Sequence, residues 1–64
     1  MVRSLTRYYS VLILDRAIEA GINRYGIDIR AQLELALNDI KTQNSLLFQE
    51  SYISRLQGLK VKYR

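Results

Sequence analysis

Sixty-four residues make a single small domain, with 48% hydrophobic and 25% charged residues, a composition that excludes a disordered tail. Cysteine and histidine are absent, which excludes a disulfide scaffold, a zinc finger, a thiol nucleophile and any acid–base scheme built on imidazole. Ten Lys and Arg stand against six Asp and Glu, for a net charge of +4, and a chain this short buries only about 60% of its unfolded surface, so its own stability is marginal.

The chain begins with Arg3 and Arg7 and no acid as far as Leu14. Ser4 is an acceptable N-cap, and a helix is predicted over 5–20. At 100° per residue Tyr8, Val11, Leu14, Ile18 and Ile22 share one face, with Leu12 at its margin and Leu5, Tyr9 and Ile13 outside it. Such a helix is apolar over more of its circumference than one partner helix covers. Tyr8–Leu14 alone also fits a short buried strand, but continuation into Asp15-Arg16-Ala17-Ile18-Glu19-Ala20 favours helix. Gly21 followed by Ile22 predicts a left-handed helix end near Ala20. No stretch approaches the roughly 18 apolar residues of a membrane span, and peripheral membrane contact through this helix is the weakest of the partner readings. The acid-free, arginine-containing start resembles organellar targeting segments.

Asn23 and Gly26 are turn formers in the connection 22–27, and Asp28 is expected to cap the next helix. That helix is predicted over 28–57, with Ile29, Leu33, Ala36, Leu37, Ile40 and Leu47 on one stripe. Strict alternation from Ile27 to Leu37 suggests a strand instead, yet Gln32, Glu34, Ala36 and Leu37 are better helix formers. Thr42-Gln43-Asn44-Ser45 interrupts the stripe, and Asn44 or Ser45 is a candidate cap for a new helix. A break there makes three short helices and separates the basic ends, whereas continuity makes a hairpin and merges them. Without Gly or Pro at the junction, the long helix is favoured.

Beyond the junction Phe48, Tyr52, Leu56 and Leu59 line up at helical spacing, and Gly58-Leu59 predicts a second helix stop near Gln57. Leu59, Val61 and Tyr63 alternate with Lys60, Lys62 and Arg64 over 59–64, the pattern of an extended tail with one apolar and one cationic face, suited to a partner's sheet edge or groove. The segment 55–64 carries four cations and no acid, while 15–54 is slightly acidic. Asp15 and Glu19, four apart, read as a solvated face, and Arg30 with Glu34 as a helix ion pair.

The order of an apolar helix with Arg7-Tyr8-Tyr9, a loop, an Arg-bearing helix, and Leu46-Leu47 leading to Leu56 and Leu59 before basic residues partly resembles the small helical LYR-motif proteins of mitochondria. The namesake Leu-Tyr-Arg stands here as Tyr8-Tyr9-Ser10, without its arginine, so no residue role is carried over.

These readings converge on an all-α fold, a helical hairpin or short three-helix bundle with an extended basic C-terminal tail. The expected function is that of a non-enzymatic accessory or structural subunit, joining a larger complex or a homo-oligomer through apolar helix faces. Tyr8, Tyr9, Leu12, Ile13, Phe48, Tyr52, Leu59, Val61 and Tyr63 are the candidate protein-interface residues. Arg3, Arg7, Arg55, Lys60, Lys62 and Arg64 are candidate contacts to an anionic partner, and a basic nucleic-acid-binding helical module is the runner-up. No phosphate-binding loop, nucleophile motif or metal spacing is present, so no cofactor is expected. The lack of cysteine suits an intracellular compartment, an organelle such as the mitochondrion included.

Overall fold

The computed structural model describes residues 3–23, 26–43 and 47–64, with side chains from residue 5 onward. Three helices follow in order: α1 (Arg3–Glu19), α2 (Ile29–Lys41) and α3 (Gln49–Lys62). Among the described residues there is no strand, which settles both helix-or-strand ambiguities in favour of helix.

Helix α1 already includes Arg3 and Ser4, so Ser4 lies inside the helix instead of capping it. Its other end is as predicted. Gly21 adopts φ 71°, its N–H donates to the Ile18 carbonyl at 3.0 Å, and the Ile22 N–H donates to the Ala17 carbonyl at 2.9 Å. That pair of bonds closes the last turn onto carbonyls the helix itself leaves open. In the connection, the Asn23 amide donates to the Ile27 carbonyl and accepts from the Ile27 N–H, while Gly26 takes φ 61°.

Asp28 caps α2 as expected, in extended conformation, its carboxylate accepting from the Arg30 N–H at 3.1 Å. The predicted stripe is buried at Ile29, Leu33, Ala36, Leu37 and Ile40, but Leu47, assigned to the same stripe, is exposed. The reason is that the long helix is not formed. Helix α2 stops at Lys41, and Phe48, in the left-handed conformation at φ 62°, precedes α3. Side chains replace the missing glycine and proline as terminators: the Thr42 hydroxyl donates to the Asp39 carbonyl, and the Gln49 amide donates to both the Ile40 and Gln43 carbonyls, at 2.8 and 2.9 Å. Asn44 and Ser45, the proposed caps, lie outside the described residues.

The predicted stop at Gly58 and the extended tail 59–64 are corrected. Gly58 sits within α3 without positive φ, and the helix continues to Lys62. Glycine ends a helix only where it turns left-handed. Here Tyr52, Leu56, Leu59 and Tyr63 repeat at i, i+4, i+7 and i+11 and pack in or against the core, so burial at helical spacing outweighs the two-residue alternation. Two cations in the last turn also suit the negative end of the helix dipole.

Helix directions follow from which residues meet. Arg7, early in α1, reaches Asp39, late in α2; Gln49 at the start of α3 reaches the end of α2, and Lys60 reaches Glu34 near its beginning. Helix α2 therefore runs antiparallel to both neighbours. Tyr8 meets Tyr52 and Asp15 meets Tyr63, which makes α1 and α3 parallel. The molecule measures 36 by 24 by 16 Å. Both outer helices rest mainly on α2, and they touch each other chiefly through long side chains. Tyr8, Val11, Leu33, Ile40 and Leu56 are among the residues at the centre of the core.

Candidate functional site

The cleft between α1 and α3 gathers most of the residues singled out in the sequence. Three tyrosines meet at one end. The Tyr8 ring lies edge-on to Tyr9 and to Tyr52, with centroids 5.0 and 4.8 Å apart. Burial, and next the proximity of Tyr9, push the Tyr52 hydroxyl above its ordinary pKa. Tyr8 is 3% exposed and belongs to the chain's own core, so it does not supply free surface. Leu12, Tyr52 and Leu59 are half-buried against that core. Tyr9, Ile13 and Phe48 stand exposed at 43%, 70% and 67%.

Spacing orders these side chains. On α1, Tyr9, Leu12, Ile13 and Arg16 follow one another at i, i+3, i+4 and i+7, a single flank of the helix. On α3, Phe48 lies one turn before Tyr52 and two before Arg55, so these three form a similar row, and its middle member, Tyr52, touches Tyr8. Phe48 is costly to its own chain. It occupies the N-cap without a side-chain acceptor, holds a left-handed backbone and leaves its ring in water.

The other end of the cleft is closed by charge. Lys62 donates to Asp15 at 2.8 Å and also to Glu19, and the Tyr63 hydroxyl donates to the same Asp15 oxygen at 2.5 Å. Lys62 first, then Tyr63, hold the Asp15 carboxyl below its ordinary pKa. Asp15 in turn raises both Lys62 and Tyr63. The ammonium of Lys62 also sits 5.3 Å from the Tyr63 ring centre. Asp15 and Glu19 are thus not a merely solvated face. The missed signal was a pair of acids four apart on one helix, matched by alternating cations elsewhere in a chain with few other acids.

The candidate anion contacts divide accordingly. Arg7 pairs with Asp39 at 3.0 Å, Lys60 with Glu34 at 2.6 Å, and Lys62 with Asp15 and Glu19. Lys60 also holds the Glu34 carboxyl below its ordinary pKa. Glu34 therefore pairs with Lys60 and not with Arg30, which instead lies 3.6 Å from Asp28. Among the described residues Arg16, Lys41, Arg55 and Arg64 form no ion pair. The Arg3 side chain lies outside the described residues. Val61 is exposed on a face of α3 turned away from the Tyr52–Leu56 stripe.

A hollow of about 280 Å³ on the α1–α2 seam is lined by Ser10, Val11, Leu14, Ile27 and Gln32, without an ionisable group. Among the described residues no three of His, Cys, Asp and Glu are grouped as a metal site requires. No helix among them is long and apolar enough to cross a membrane.

No family model matches this chain, and neither a curated protein nor a solved structure does.

Proposed function

We propose that this chain is a small, non-enzymatic helical subunit that docks into a larger protein assembly through the apolar residues bordering the α1–α3 cleft. The observation that supports this reading most directly is Phe48: a bulky side chain in left-handed backbone, exposed, and without a capping bond. Backbone strain of this kind costs about 1–3 kcal/mol and persists where something outside local structure favours it. Tyr9 and Ile13, exposed on a helix whose remaining apolar residues reach the core, extend the same surface. Exposed large apolar side chains on so small a molecule are a typical mark of an interaction surface.

The nucleic-acid reading has less support. Arg7, Lys60 and Lys62 are engaged by carboxylates of the same chain, and Arg55, Lys60 and Lys62 are built into α3 instead of forming a loose basic arm.

Size-exclusion chromatography of host-cell extract, read by immunoblot, tests the docking reading. The chain is expected in a fraction well above its own 7.5 kDa, and the double variant Ile13→Ser/Phe48→Ser is expected to elute as a monomer. Elution of the unaltered chain as a monomer, or of both in the same large fraction, counts against it.

A further inference from the structure

Building on the docking reading, we infer that the partner surface is an amphipathic helix with an apolar stripe flanked by carboxylates, lying along the α1–α3 cleft between Arg16 and Arg55. The argument is charge complementarity. All six acidic residues of the chain fall among the described residues. Five of them are committed: Asp15 and Glu19 to Lys62, Asp28 to Arg30, Glu34 to Lys60, and Asp39 to Arg7. Only Glu50 forms no ion pair among the described residues. Arg16 and Arg55, by contrast, border the exposed apolar residues with no carboxylate assigned to them.

A second copy of the chain fits this rim poorly. It brings the same two arginines and at most one uncommitted acid, so an isologous contact across the cleft sets like charges together, which is unfavourable. A helix with Asp or Glu on either side of its apolar stripe offers what the rim lacks, and arginine is well suited to forked carboxylate contacts at such an edge. Shape points the same way. Helices α1 and α3 are parallel and meet mainly through side chains, so a third rod can rest along both, whereas a bilayer surface is flat. A nucleic-acid strand fits less well, since it leaves Ile13 without an apolar partner.

The test uses the full chain and two labelled, designed helical peptides of about five turns, identical in their leucine stripe but flanked by Glu in one and Lys in the other. Fluorescence anisotropy is read at low salt and at about 0.5 M salt, where charge contacts across exposed rims are largely screened. The Glu-flanked peptide is expected to bind at least about tenfold more tightly at low salt, with the gap closing at high salt. Arg16→Glu/Arg55→Glu, with helicity checked by circular dichroism, is expected to reverse the preference, and Ile13→Ser/Phe48→Ser to weaken both peptides. Equal affinities, a preference for the Lys-flanked peptide, or no binding of either at about 1 mM overturns the inference. So does tighter binding of phosphatidylserine vesicles or a single-stranded oligonucleotide, or sedimentation showing a dimer that Arg55→Glu does not disturb. If the large fraction in extract still depends on Ile13 and Phe48 while the peptides bind alike, the docking reading stands and only the acidic partner falls.

Discussion

Helices α1 and α2 are built from similar proportions of apolar residues but use them differently. In α2 most apolar side chains are concentrated on one stripe, buried at Ile29, Leu33, Ala36, Leu37 and Ile40, with Leu35 exposed outside it, and both ends are closed by side chains. In α1 they run round the helix. Tyr8 and Val11 reach the core while Tyr9 and Ile13 remain in water. The difference follows from position. Helix α2 has a neighbour on each side, whereas α1 is an outer helix with more apolar surface than α2 and α3 together cover. The surplus of an edge element is where a partner is to be sought, and the centre of the molecule carries its stability.

The sharpest way to break that contrast is to truncate one residue of each kind. Leu33→Ala or Leu56→Ala, at positions with no exposure, is expected to cost about 2–5 kcal/mol, most of what a domain of this size has. Ile13→Ser is expected to change stability by no more than about 0.5 kcal/mol. Urea unfolding followed by circular dichroism measures both, and similar losses would contradict the assignment of core and surplus. Next in size is Gln49→Ala, which leaves the Ile40 and Gln43 carbonyls without their donor and is expected to cost about 1–2 kcal/mol. Faster amide exchange at the end of α2 would localise the loss, and unchanged exchange would remove Gln49 as terminator.

Two substitutions should stabilise the chain. Phe48→Gly relieves the left-handed backbone and is expected to gain about 1 kcal/mol, while Phe48→Ala, which keeps the strain, is not; a thermal melt in which the two behave alike would refute the strain. A methyl group added at Gly58 meets open space, so Gly58→Ala is expected to add about 0.5–1 kcal/mol as a helix-interior substitution. A loss there would mean that α3 needs glycine at this point.

The smallest effect belongs to the latch between α1 and α3, and its sign changes with pH. Asp15 has a lowered pKa in the folded chain, so its contribution is present above the ordinary carboxylate range and is lost as pH falls through the lowered value. Lys62 and Tyr63 have raised values, so theirs is complete below their ordinary range and fades as pH climbs through the raised ones. Melting temperature is therefore expected to be flat near neutrality and to fall at both extremes. Asp15→Asn should flatten the alkaline limb and part of the acid one, leaving the acid slope due to Glu34, whose carboxyl is lowered by Lys60. An unchanged profile in this variant would show that the latch contributes nothing to folding.

Where local chemistry was sufficient, the pattern of residues was readable. Gly21 followed by Ile22 ends α1, Asp28 begins α2, and the buried stripe from Ile29 to Ile40 has helical spacing throughout. Reading failed wherever a residue distant in the chain decided the outcome. The end of α2 depends on Gln49, nine positions beyond the carbonyl it binds. Helix continuation through Gly58 depends on a core formed by α1 and α2. Of the candidate surface residues, Tyr9, Ile13, Phe48 and Val61 stand exposed, while Tyr8 went to the core, where Tyr52, 44 positions later, packs against it.

The amino-acid pattern by itself determined that the chain is all-helical, where the first helix stops, where the second starts, and that α1 carries apolar residues on more than one side. Those features depend on propensity, capping and periodicity, which act within a few residues. Tertiary structure alone decided the fate of the charges and of the last turn. Lys60 and Lys62 read as a cationic edge because their carboxylates stand far away in the sequence, on α2 and α1. Only when the helices pack do Glu34, Asp15 and Glu19 come within reach, holding the end of α3 in place and leaving Arg16 and Arg55 as the uncommitted cations beside the cleft.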